Sequence, residues 1–206
     1  MSTAPSKRRF TIAEYLAVEE DSLDKHEFYR GEIFAMAGAT IRHNEIVGNI
    51  FGQLHSLLRG KGCRPYGSDL RIRVKQVNFY TYTDTVVICG AIDRDEDDRE
   101  AATNPRVIFE VLSKSTENYD RGKKWEFYQQ LDSLREYVLV SQEEAKVSRY
   151  FRDDGGPWRY MLISGMEQRL ALESLACELP LAEIYDNVTF GPENSADASS
   201  GQPNAT

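Results

Sequence analysis

Thr81-Tyr-Thr-Asp-Thr-Val-Val-Ile88 and Val107-Ile-Phe-Glu-Val-Leu112 are the two stretches whose reading decides the fold. Each is a short apolar run rich in β-branched and aromatic residues, the signature of a buried strand. Each also carries one carboxylate, Asp84 in the first and Glu110 in the second. A carboxylate taken out of water is costly without a partner, so such a residue sits against a cation, a set of donors or a metal. Just beyond the second run, Asp120-Arg-Gly-Lys-Lys-Trp-Glu-Phe-Tyr128 opens a helix carrying two lysines.

Working outward, a helix is expected from about Asn118 to Leu131, followed by an apolar strand over Glu136 to Val140. Lys146 to Phe151 and Arg159 to Ile163 read as a hairpin closing across Asp153-Asp-Gly-Gly156. Upstream, Leu70-Arg-Ile-Arg-Val-Lys75 alternates, placing Leu70, Ile72 and Val74 on one face and three cations on the other. Those cations read as a solvated sheet face, with phosphate binding as the alternative. A long helix is expected from Thr40 to Arg59, its stripe formed by Ile46, Ile50, Leu54 and Leu57 and its end marked by Gly60 and Gly62. Strands at His26 to Tyr29 and Glu32 to Met36 flank a turn at Arg30-Gly31. Before them, Phe10-Thr-Ile-Ala-Glu-Tyr15 starts a helix: Thr11 caps it, Glu14 completes a capping box and Phe10 staples onto Tyr15. Residues 1–9 read as a disordered arm, 10–190 as one domain and 191–206 as a disordered tail too poor in apolar residues to order itself. Helices alternating with strands around the two carboxylates make the fold α/β.

At 206 residues the chain buries a substantial core, and its 41% hydrophobic and 28% charged residues are ordinary for a soluble protein. No run approaches the ~20 apolar residues of a membrane span, and the N-terminus lacks the apolar segment of a secretory signal. A cytoplasmic protein is the expectation. Cys63, Cys89 and Cys177 stand far apart, so neither a disulfide framework nor a zinc site follows, and Cys89 reads as a small core residue. The Asn187 and Asn204 glycosylation patterns read as chance in that context. The net charge of −8 argues against nucleic-acid binding over the whole surface but leaves room for a local basic groove. Asp93-Arg-Asp-Glu-Asp-Asp-Arg-Glu100 reads as a solvated loop. It is not an EF-hand, since Asp98 stands where the calcium loop needs glycine. No glycine-rich phosphate loop is present, which disfavours a nucleoside-triphosphate enzyme.

Strand Asp, strand Glu and a nearby Lys are the groups that magnesium-assisted phosphodiester hydrolysis requires. Mg²⁺ takes one or two protein carboxylates, which Asp84 and Glu110 would supply, and a lysine beside them steadies charge on the attacking water or the phosphate. Lys124 is the candidate, because its helix starts just after the Glu110 strand. The bland alternatives are a pair of satisfied structural acids and, for Lys123 and Lys124, a solvated helix face.

Taken together, these residues resemble the Uma-two family of bacterial proteins, restriction-endonuclease candidates within the PD-(D/E)XK nuclease superfamily. The matching stretches are His26-Glu-Phe-Tyr-Arg-Gly-Glu32, Ala35 to Gly38, His43-Asn44, Gly67 to Arg73, Tyr82-Thr-Asp84, Phe109-Glu-Val-Leu-Ser113 with Ser115-Thr116, Tyr119-Asp-Arg-Gly-Lys-Lys124 and Leu134 to Leu139, covering roughly residues 10 to 150. The resemblance implies a restriction-endonuclease-like αβββαβ core, here with an N-terminal helix and β-hairpin extension and a C-terminal β-hairpin. It also implies that Asp84 and Glu110 hold the metal. The superfamily lysine two residues after the Glu is replaced by Leu112, and the family pattern moves it to Lys124, with Tyr128 one turn on. Glu27 and His43 match further family positions, Glu27 as an additional acid and His43 either as a phosphate or water contact or as a partly buried helix-start residue. Thr83 stands where the family usually has Pro, and Arg30 where it usually has Asp; neither change removes a ligand.

The expected function is therefore a Mg²⁺-dependent endodeoxyribonuclease, with Mn²⁺ as a substitute metal and DNA as the substrate. Arg71, Arg73, Lys114 and Arg121 are candidate clamps on the DNA backbone. Double-strand cleavage would call for a homodimer, an inference from mechanism alone. The rival is a non-catalytic module of the same fold that binds nucleic acid or a protein. A retaining glycosidase built on the two carboxylates explains neither the lysine nor their burial in strands.

Overall fold

The computed structural model describes residues 8–36 and 38–191. Of the stretches expected to be disordered, 1–9 and 191–206, residues 1–7 and 192–206 lie outside the described residues. Arg8 and Arg9 are tied down: Arg8 pairs with Glu14, and Arg9 donates to the Arg30 carbonyl at 2.6 Å.

Helix α1 (Ile12–Asp21) begins with the expected capping box, Thr11 and Glu14 each bonding the other's backbone N–H. Strands β1 (His26–Tyr29) and β2 (Glu32–Ala35) form a hairpin whose turn residues Arg30 and Gly31 both have positive φ, of 48° and 89°. A side chain at position 31 would also meet Arg9 Cβ at 3.0 Å, so tight space adds to the backbone conformation in favouring glycine there. Helix α2 (Ile41–Leu57) follows, capped by Thr40. It buries Ile46, Ile50 and Leu54, with Leu58 buried just past its end, while Leu57, expected in the stripe, lies partly exposed. Next come β3 (Cys63–Tyr66), β4 (Arg71–Val74), β5 (Phe79–Tyr82), β6 (Thr85–Cys89), β7 (Ala101–Ala102) and β8 (Val107–Leu112). The expected second helix is broken in character. It runs as α3 (Glu117–Tyr119), a π turn over Asp120–Lys124, and α4 (Trp125–Tyr128). Strands β9 (Glu136–Ser141), β10 (Lys146–Phe151) and β11 (Arg159–Ser164) include the expected closing hairpin. A second hairpin, β12 (Arg169–Leu172) with β13 (Cys177–Pro180), and α5 (Leu181–Ile184) complete the described chain.

The strands form a six-stranded sheet in the order β11-β10-β9-β8-β6-β3, a five-stranded sheet in the order β2-β1-β5-β4-β7, and the β12-β13 pair. Only β8-β9 is parallel in the six-stranded sheet, because the helix between them carries the chain back across it. Reading α2, β3, β6, β8, α3–α4 and β9 in chain order gives the expected αβββαβ core, with β4 and β5 inserted into the second sheet. Alternation along β8 sends Val107, Phe109 and Val111 to the α2 side, and Ile108 and Leu112 to the side of Phe127 and Tyr128. Glu110 faces that second side, toward the helix that carries Lys124.

Two expectations are corrected by pairings distant in sequence. β3 lies antiparallel to β6 in a register that sets Cys63 opposite Cys89, and these cysteines form a disulfide. The alternation of β4 holds, since Ile72 and Val74 are buried together, but its other face is not solvated. That face is covered by α1 and by the acidic segment, which is itself only partly solvated. Asp98 binds Arg71 through both carboxylate oxygens, and the buried Asp95 accepts from Tyr80 and lies near Arg73.

Candidate active site

The two sheets meet where the chain passes from β5 to β6, and Asp84 sits at that junction. β5 belongs to the five-stranded sheet and β6 to the six-stranded one, so the residue between them faces the crevice. Its Oδ2 accepts the Val111 backbone N–H at 2.6 Å and lies 3.1 Å from His43 Nε2. His43 reaches it from the first turn of α2, where the Thr40 cap fixes the helix start. Asp84 thus has one oxygen fixed by protein while its side chain stays about one-fifth exposed to the crevice.

Glu110 is 5% exposed and Lys124 is 4% exposed, and they meet at 2.9 Å between Oε1 and Nζ. Tyr128, one turn beyond Lys124, donates its hydroxyl to the same oxygen at 3.0 Å. Glu27 arrives from β1. Thr81 donates to its Oε1 at 2.5 Å, Tyr119 donates to its Oε2 at 2.8 Å, and Lys124 Nζ lies 3.7 Å away. Asp120, which sequence reasoning did not single out, is buried in the π turn with Oδ1 3.8 Å from Lys124 Nζ. Its separation of four residues from Lys124, inside the same Asp-Arg-Gly-Lys-Lys run, was the signal that could have found it. Tyr119, the second residue missed, is legible only once β1 lies beside the helix. Single π turns inside helices are frequent at functional sites.

The electrostatics follow from this crowding. Burial pushes the Glu110 carboxyl well above its usual range; Lys124 opposes that shift and the negative Asp84 reinforces it. Burial likewise raises Asp120, against the pull of Lys124. For Lys124, burial disfavours the ammonium, but Glu110, Glu27 and Asp120 together outweigh it, and the amine is held charged well above its usual range. Three carboxylates around one ammonium leave the centre short of positive charge. No group of three or more metal-ligating side chains is assembled among the described residues. Asp84 and Glu110 suffice for an ion that takes one or two carboxylates and keeps its waters, so the donor set fits magnesium.

These groups line the floor of a cleft of about 720 Å³, whose other walls include Tyr29, Phe34, Met36, Ser113, Thr116 and Phe127. Sequence-predicted Asp84, Glu110, Lys124, Glu27 and His43 all reach this cleft, and Tyr128 supports Glu110 from behind it. The candidate clamps are not brought together there. Arg71 is bound by Asp98, and Arg73 donates to Asn78 and stacks over Tyr80 at 4.2 Å, on the far face of the five-stranded sheet. Arg121 bonds Glu117 and Ser148, away from the cleft lining. Lys114 stands 86% exposed near Glu143.

A family model named Uma2 and described as "Putative restriction endonuclease" matches residues 12–182. The chain belongs to this family. Two proteins of Synechocystis sp. are similar to this chain in sequence. Uncharacterized protein slr1290 is 34% identical over 177 residues, 86% of this chain and 92% of its own length. Uncharacterized protein sll1609 is 32% identical over 158 residues, 77% of this chain and 89% of its own. A crystal structure described as "a putative nuclease belonging to DUF820" from Anabaena variabilis superposes with a TM-score of 0.71, covering 87% of this chain and 99% of that one. At 16% identity that likeness establishes the fold, which is restriction-endonuclease-like. Among the described residues no helix is long and apolar enough to cross a membrane.

Proposed function

We propose that this Uma2 protein is a Mg²⁺-dependent endodeoxyribonuclease that hydrolyses DNA phosphodiester bonds, with Mn²⁺ able to substitute. The observation that carries the reading is the convergence of Asp84, Glu110 and Lys124 from a sheet junction, a central strand and a π turn onto the floor of one cleft. The family description and the name of the structural neighbour support it.

Bound between Asp84 and Glu110, magnesium would supply Lewis acidity and lower the pKa of a water. The chain's own groups do the rest. Asp84 is pre-aimed by the Val111 N–H and His43, so it loses little freedom on taking up a ligand. Lys124 is held charged by its acidic neighbours and offers that charge to the attacking water or to the crowded phosphate of the transition state. Glu27, fixed by Thr81 and Tyr119, keeps the ammonium in place. One such centre cuts one strand, so breaking both strands calls for two copies, and a homodimer is part of the proposal.

The test is cleavage of supercoiled plasmid and short duplex DNA with Mg²⁺ or Mn²⁺, beside Asp84→Asn, Glu110→Gln and Lys124→Met, with folding checked for each. Loss of at least 10²-fold in all three folded variants is expected. Metal-dependent cutting that persists in them would place the chemistry elsewhere. A wild type that neither cuts nor gains thermal stability from either metal would favour the non-catalytic module.

A further inference from the structure

Phe34 stands directly across the hairpin from Glu27, the pair being in register between β1 and β2, so both side chains rise from the same face of the sheet. Glu27 is buried in the acid cluster, whereas the Phe34 ring is 44% exposed and lines the mouth of the same cleft. Behind it the wall is aromatic too: Tyr29 packs on Phe127 with ring centroids 4.6 Å apart, and both line the cleft. The cations lining the cleft, among the described residues, are Lys123 and Lys124. Lys124 is buried in the floor among its carboxylates, and Lys123 stands half-exposed beside Glu126 at 2.9 Å. The arginines expected to grip a backbone are spent on Asp98, Asn78 and Glu117 elsewhere.

Duplex binding by phosphate contacts draws on a row of free cations, and the lining of this cleft offers a single exposed one, Lys123, among the described residues. Aromatic faces beside a phosphodiester-cleaving floor are instead the means by which unpaired strands are held, each base stacking on a ring whatever its sequence. We propose that the cleft takes an unpaired nucleotide segment (a single strand, a flap or a loop) and that Phe34 is the ring on which the base next to the scissile phosphate stacks. The identity of the ligand rests on the nuclease reading above. Glu110 is buried and Asp84 only one-fifth exposed, and a nucleotide drawn out of the duplex stack carries its phosphate down to them. Stacking then replaces part of the lost base–base contact. The geometry specifies strand state, not base sequence.

Binding and cutting are measured separately, so that the two readings fail separately. Binding uses the full-length chain in metal-free buffer with a 2-aminopurine-labelled single strand and with the same strand annealed into a perfect duplex, for wild type, Phe34→Ala and Phe34→Trp. Expected are binding of the single strand at least tenfold tighter than the duplex and quenching of the fluorophore on binding. Phe34→Ala should weaken binding on the order of tenfold, with Phe34→Trp restoring it. The salt slope of log K should correspond to about two phosphate contacts or fewer rather than the six to ten of a duplex-gripping protein. Equal affinity for duplex and single strand, no binding to either, or an unaltered Phe34→Ala would overturn the inference. The cutting arm adds Mg²⁺ to a duplex bearing a single-stranded flap and expects cleavage in the flap or at its junction. Phe34-dependent binding with no cutting of any substrate would leave the stacking site standing and remove the nuclease assignment. Equally fast cutting of perfect duplex would do the reverse.

Discussion

Replacing Lys124 with Met removes the ammonium while keeping an apolar stem of similar length, and the cost can be worked from its neighbours. Nζ lies 2.9 Å from Glu110, 3.7 Å from Glu27 and 3.8 Å from Asp120, with all these side chains 10% exposed or less. Removing one partner of a buried ion pair costs about 3–5 kcal/mol, because the remaining charge is left uncompensated. Burial holds the Glu110 carboxyl above its usual range even with Lys124 present, and removing the ammonium raises it further. A carboxyl whose folded pKa is raised contributes its stability below its ordinary value of 4.5 and loses it as pH rises toward the folded value, so the gap between wild type and Lys124→Met should be narrower at pH 5.5 than at pH 7.5. Urea denaturation at the two pH values measures the gap and its trend. A variant as stable as wild type at pH 7.5 would refute the reasoning. A gap that does not change with pH would too, since it would assign the loss to packing rather than charge.

Two further outcomes check the surrounding structure. The Cys63–Cys89 disulfide spans a separation of 26 residues, so its reduction should lower stability by roughly 3 kcal/mol through the unfolded chain, read as a shift of the urea midpoint with reductant. Arg71→Ala strands the buried Asp98 and should cost about 3–5 kcal/mol by the same measurement, while DNA affinity at matched folding stays unchanged; a loss of affinity without loss of stability would reinstate Arg71 as a backbone clamp.

Local pattern carried much of this protein. Thr11 and Glu14 close a capping box from residues three apart, and Ile46, Ile50 and Leu54 mark the buried stripe of α2 by spacing alone. The apolar runs around Asp84 and Glu110 and the lysines of the following helix are likewise visible in order, because strand and helix periods are short-range properties of the backbone. Tertiary structure alone decided what depends on register and crossing. The pairing of β3 with β6 placed Cys63 opposite Cys89, although their spacing carries no hint of a bond. The packing of α1 and the acidic segment over β4 turned two cations of the expected solvated row, Arg71 and Arg73, into partners of the buried Asp98 and Asp95. The approach of β1 to the π turn set Glu27 against Tyr119 and Lys124. An alternating sequence determines which side chains share a face of a sheet; what covers that face is set by segments dozens of residues away, and on that covering rests whether a charge is solvated, paired or poised.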